Sequence, residues 1–183
     1  VTVVAVDFAA SLSACVVLRD GEVVDQFDSV QSVHEFLDRV VGYASVSSVL
    51  AVEDLPHNLK FAGLVKQTCR LQGELMYRLR QSGLLDRLLF VPPACWQRYH
   101  PGVWRQDKAG AHRRAVELGY QAPDLLDLHA SDIPAHGAER SKYRERLKKA
   151  MTDYDDAFLI AWWAEDVFRE QGTYDVPSTQ RVA

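Results

Sequence analysis

Between Met151 and Trp163 the chain reads MTDYDDAFLIAWW, with Asp153, Asp155 and Asp156 inside four residues and an apolar run after them. Thr152 has the character of an N-cap, and Asp155, three residues on, that of its capping-box partner. A helix is therefore expected to start here with three acids in its first turn. Such acids complement the helix dipole. Crowded this closely they also repel unless something positive sits among them. Two further acids end β-branched runs: Asp7 in VTVVAVDF and Glu53 in SSVLAVE. Asp153 and Asp156, three apart, share a helical face, which leaves Asp155 to the cap. Asp7, Glu53, Asp153 and Asp156 together, with no Cys or His partner, make a hard oxygen cage suited to Mg²⁺ or Mn²⁺. Two such ions about 4 Å apart activate a water and stabilise the leaving oxygen of a phosphodiester. Taken singly, each strand-terminal acid is more often a solvated end. The order and placement of all four point to a site.

The elements that must position them follow from periodicity. Val1 to Phe8 is a buried strand. Ser11 to Arg19 and Glu22 to Phe27 are two more, joined by the hairpin signal Asp20-Gly21. Val30 to Tyr43 has helical apolar spacing, Ser47 to Glu53 is a strand, and Asn58 to Gln81 is a long helix. Arg87 to Val91 is a last strand, closed by Pro92-Pro93. Gln106 to Leu118 is a helix, Pro123 to Gly137 is irregular, and the acid-headed helix runs to near Gly172. The pattern predicts a mixed five-stranded sheet, an antiparallel three-strand meander plus parallel strands, flanked by helices. One domain over 1–172 is expected, with 173–183 as a frayed tail. The Asn58–Gln81 helix shows Phe61, Val65, Met76 and Leu79 to one side and Leu64, Leu71 and Leu75 to another. It either packs wholly within its own domain or offers one face to a second copy.

Composition excludes several classes. Hydrophobic residues are 48% and charged residues 25% of 183, an ordinary globular balance. The net charge of −4 gives no global basic field, so any nucleic-acid contact rests on local clusters. Cys15, Cys69 and Cys95 show no CxxC spacing and read as reduced thiols of an intracellular, cytoplasmic protein. The six histidines show no zinc pattern. No apolar run is long enough to span a bilayer.

The segments VVAVDFA with Asp7, VLAVED with Glu53 before a long helix, and DYDDAFLIA with Asp153 and Asp156 resemble the RuvC family of Holliday-junction resolvases. The middle stretch VPPACWQRYHPGVWRQDKAGAHRRAVEL is similar to that family's strand, loop and lysine-bearing helix, with Lys108 where the family often places a lysine near the scissile phosphate. The resemblance implies a ribonuclease-H-like fold and symmetric nicking of four-way DNA junctions. It also implies a homodimer, Mg²⁺ or Mn²⁺ as two ions per site, and catalysis by Asp7, Glu53, Asp153, Asp156 and Lys108. The small size fits a divergent phage-type member. Where bacterial members carry a wedge aromatic after the Glu, this chain has Asp54-Leu55-Pro56-His57. Proofreading exonucleases of the same fold need Asp-x-Glu on the first strand, and this chain has Asp7-Phe8-Ala9. Actin-like ATPases need glycine-rich phosphate loops, and AASLSAC has none. A nuclease acting on other branched or hybrid substrates, and a non-catalytic branched-DNA-binding module, remain as alternatives.

The bases gather in two clusters. Arg140, Lys142, Arg144, Arg146, Lys148 and Lys149 lie just before the acids. They are either a solvated helix face or DNA-binding groups, mobile until DNA neutralises them. Arg98, His100, Arg105 and Lys108 interleave with Trp96, Tyr99 and Trp104, aromatics that either stack on splayed nucleotides or fill the core.

Overall fold

The computed structural model describes residues 1–9, 12–54, 62–103 and 108–171, side chains at 62–64 and 149 excepted. Five strands form one sheet in the order β3-β2-β1-β4-β5. They are β1 (Thr2–Asp7), β2 (Ala14–Arg19), β3 (Glu22–Asp28), β4 (Val49–Glu53) and β5 (Leu88–Val91). The first three pair antiparallel, while β4 runs parallel to β1 and β5 parallel to β4. The mixed sheet expected from the sequence is therefore the one observed. At the β2–β3 turn Asp20 and Gly21 have φ of 53° and 85°, the positive pair a tight two-residue hairpin requires. The carboxylate of Glu165 accepts the Gly21 N–H at 2.9 and 3.1 Å, pinning this turn to the last helix.

Both sheet faces are covered, because β1, β2, β4 and β5 are mostly apolar and the pleat sends alternate residues to opposite sides. Val4, Val6, Cys15, Val17, Leu50 and Val52 pack against α1 (Val33–Val46) and α2 (Ala62–Gln81). Val3, Ala5, Val16, Val49 and Ala51 pack against the other layer. That layer comprises α3 (Pro93–Tyr99), α4 (Lys108–Glu117), the short α5 (Leu125–Leu128) and α6 (Gly137–Gln171).

Four expectations change. No helix starts at Thr152: α6 is continuous for 35 residues from Gly137, which supplies a positive φ at its start. At 1.5 Å per residue it is about 52 Å long. The Arg140–Lys149 run is made of good helix formers. Leu147 and Ala150 bury against the same cluster as Tyr154, Ala157 and Phe158. Helical packing therefore runs straight through Thr152, and the capping box with Asp155 does not form. The basic run is the docked first half of α6 and not a separate mobile insert. Second, Pro93 opens α3 instead of merely closing β5, because proline tolerates the first helical turn. Third, the stretch after Pro123 holds α5 and a single 3-10 turn at Ala130–Asp132. Fourth, α2 points Leu75 and Leu79 into its own core with Leu71 against them, while Met76 and Tyr77 are exposed. Leu75 therefore cannot be a partner-facing residue. Phe61, the tail 173–183 and the Leu55–His57 stretch lie outside the described residues, as does the side chain of Leu64.

Leu147 is the apolar anchor of the basic half of α6. Leu147→Ala is expected to lower stability by about 3 kcal/mol, read as the shift of a urea midpoint. A change under about 0.5 kcal/mol, the usual range of surface sites, would mean the arm is not docked.

Candidate metal centre

Pleat parity brings the strand acids to one face. Val3 and Ala5 of β1, and Val49 and Ala51 of β4, all face α6, and Asp7 and Glu53 continue the same alternation. Val6 pairs with Val52, so the two acids follow one step later on neighbouring parallel strands. Helix α6 crosses this end of the sheet. One carboxylate oxygen from each of Asp7, Asp153 and Asp156 lies within 4.8 Å of the others, and all three residues are buried. Oxygen donors alone, converging at this distance, fit a hard divalent cation. Glu53 is outside that group of three. Trp96 of α3 donates its indole N–H to Glu53 Oε1 at 3.1 Å, and Gln72 of α2 donates to the Glu53 carbonyl at 2.9 Å.

Lys108, at the first turn of α4, pairs with Asp156 and lies 3.6 Å from Asp153. Its side chain is 49% exposed, so it spans from the cluster to solvent. Burial alone would lower its pKa, but Asp156, Asp7 and Asp153 outweigh that and hold it well above the ordinary lysine value. The acids shift the opposite way from an ion-paired surface carboxylate. Burial, then Glu53 and Asp153, push Asp7 well above its usual range. Burial and Asp156 raise Glu53 to about 7, against the lowering effect of the Trp96 bond. Burial raises Asp156 despite Lys108. Asp155 turns to α4 instead, where His112 Nδ1 meets its Oδ2 at 3.0 Å.

The other sequence candidates fall into three groups. Lys142 and Arg146 are exposed on α6, three and two turns before Asp153 and on its side of the helix, about 16 and 10 Å along the axis. Arg140 and Lys148 are exposed and Arg144 is half-buried. Arg98 is exposed on α3. His100 leaves the basic patch altogether: it is buried and its Nε2–H donates to the Leu159 carbonyl at 2.9 Å. Trp104 and Arg105 lie outside the described residues, as does the Lys149 side chain. Trp96, read from the sequence as a stacking or a core aromatic, is buried in the core and bonds Glu53. Gln72 and His112 escaped the sequence reading as site residues. For Gln72 no local signal exists, since it reaches Glu53 from 19 residues away. For His112 the i,i+4 spacing from Lys108 was the available clue.

No family model and no curated protein matches the sequence. Solved structures do. A Thermus thermophilus RuvC in complex with a Holliday junction substrate superposes with a TM-score of 0.59 at 14% identity, over 94% of this chain and 96% of that one. The fold is RuvC-like. A second Thermus thermophilus RuvC structure gives 0.56 at 15% identity, over 94% and 98%. The RuvC-like, ribonuclease-H-like architecture accounts for the sheet order and for helices on both faces. Among the described residues no helix is long and apolar enough to cross a membrane.

The raised carboxyls set a pH dependence. Their folded pKa values exceed the unfolded ones of 3.8 and 4.5, so the folded state binds more protons. The stabilisation is complete below those values and is lost as pH rises, for Glu53 through about 7. Metal-free protein is expected to lose melting temperature between about pH 4.5 and 7.5. Mg²⁺ should restore it by binding the ionised acids, and Asp7→Asn should flatten the profile. A metal-free melting temperature that climbs over this range would contradict the assigned burial.

Proposed function

We propose that this protein is a divalent-metal-dependent endonuclease acting on branched DNA, with four-way junctions as its substrate. The observation that carries this is the convergence of buried Asp7, Asp153 and Asp156, with Glu53 beside them, at one sheet end of a RuvC-like fold. Asp7, Asp153 and Asp156 hold Mg²⁺ or Mn²⁺, with Glu53 completing the set as the arrangement for two ions. Ions bound there supply activation of a water and neutralisation of charge on the leaving oxygen.

The chain's own residues do the rest. Trp96 fixes the rotamer of Glu53, leaving its other oxygen for the site. Lys108 occupies the positive position among the acids until DNA arrives, and its ammonium, on a half-exposed side chain, then meets the scissile phosphate. Lys142 and Arg146, aligned with Asp153 on α6, line the path of the backbone, with Arg140, Arg144, Lys148, Lys149, Arg98 and Arg105 as further phosphate contacts. A basic approach to a buried acidic cluster offsets the repulsion that anionic DNA meets there. The RuvC neighbour seated on a Holliday junction supports the choice of substrate.

Purified protein incubated with a synthetic four-way junction, a plain duplex and an RNA–DNA hybrid, in Mg²⁺ or EDTA, tests this reading. Junction cleavage in Mg²⁺ alone is expected. Asp153→Asn and Asp156→Asn should each reduce it by at least about 100-fold, the scale of lost transition-state charge stabilisation, and leave junction binding in EDTA intact. Preferential cutting of the hybrid would redirect the substrate, and activity undiminished in both variants would remove the site.

A homodimer is part of the proposal, since a four-way junction is two-fold symmetric and two opposed strands need two sites. Met76 and Tyr77, 39% and 62% exposed on the outer side of α2, provide the apolar contact. Tyr77→Glu is expected to convert the dimer to a folded monomer in sedimentation at micromolar concentration. Wild type sedimenting as a monomer with and without junction DNA would rule the dimer out.

A further inference from the structure

Helix α4 brings His112 as well as Lys108 to the acids of α6. His112 lies one turn on, with Nδ1 against Asp155 Oδ2 at 3.0 Å. The Asp155 side chain is 4% exposed, yet its Oδ1 has no hydrogen-bond partner. Asp155 is also outside the three carboxylates that converge as a metal centre. A buried carboxylate with one satisfied oxygen costs stability, and an apolar side chain there would avoid that cost. The pair does not exist to bury the histidine either, because the His112 side chain is 59% exposed. What the contact does is orient the ring. With Nδ1 committed to a carboxylate, Nε2 is the one nitrogen left for another partner, in a single ring orientation.

Lys108 and His112 sit at i and i+4 of the same helix, the first facing Asp156 and the second Asp155. We propose that His112, aimed by Asp155, is a phosphate-contacting residue of the DNA channel, gripping a phosphate next to the one that Lys108 meets. This rests on the nuclease reading above. Asp155 is the positioning residue, acting only through His112. The buried acid that the sequence suggested as a helix cap thus serves the substrate from the other side of α6.

The test is binding of a synthetic four-way junction and a plain duplex in EDTA, across a salt series at about pH 6. His112→Gln is expected to weaken both and to reduce the slope of log K against log salt by about 0.9, one phosphate contact. His112→Arg should keep the wild-type slope. Asp155→Asn should weaken binding less than His112→Gln and add nothing in the double variant, the signature of two residues acting as one unit. In Mg²⁺, His112→Gln should raise KM more than it lowers kcat. Wild-type slope and affinity in His112→Gln would overturn the proposal, as would full additivity of the two substitutions. Failure of the wild-type protein to bind or cut any DNA would instead overturn the nuclease reading, so the two failures are distinct.

Discussion

Everything at the working end of this fold depends on holding several carboxylates where water cannot screen them. Two unit charges of like sign at 4 Å repel by roughly 4 kcal/mol at an effective dielectric of 20. Asp7, Asp153 and Asp156 are all buried, with Glu53 next to them. Among the described residues Lys108 is the cation seen among them, and it pairs with Asp156. Burial raises the pKa values of Asp7, Glu53 and Asp156, and neighbouring carboxylates add to the rise at Asp7 and Glu53, so protons or a bound cation would relieve the cluster. The apolar layers on the two sheet faces must offset this frustration.

Helix α6 turns that local problem into a device. Its middle, from Asp153 to Ala161, is buried, so the acids are set in a rigid, crowded environment. Its first half carries exposed bases on the same side as Asp153. Because the helix is continuous, the spacing between bases and acids is fixed by helical rise alone. Exposed bases and converging acids are thus joined in one rigid element, a short distance apart.

The surroundings of the acids are tuned individually. Glu53 is held through its side chain by Trp96 and through its carbonyl by Gln72, from two helices on opposite faces of the sheet. Tyr154, next to Asp153, donates to Asp28 Oδ2 at 2.9 Å, and His129 meets the same oxygen at 3.1 Å. These bonds tie α6 and the segment after α5 to the end of β3. They restrict α6 from rotating about its axis, which would carry Asp153 and Asp156 out of register with Asp7.

The sequence by itself determined the strands, the meander and the α/β class, and marked Asp7, Asp153 and Asp156, which the fold brings together. Each of these is a local matter of periodicity, turn chemistry or residue type. Asp7 and Glu53 were legible as the acids ending VTVVAVD and VLAVE, but their common face follows from the parallel register of β1 and β4. Tertiary structure decided the rest. Thr152 carries a cap signal that is locally sound, yet burial of Leu147 and Ala150 on the sheet favours helix through it. Asp155 consequently pairs with His112, 43 residues away, instead of with its own backbone. Leu75 and Leu79, which the sequence assigned to different stripes, are both buried while Met76 is exposed, because the position of the sheet and not the apolar pattern sets the covered face. Cap and stripe signals report only the energy of a few neighbouring residues, and here burial against distant parts of the chain outweighs them.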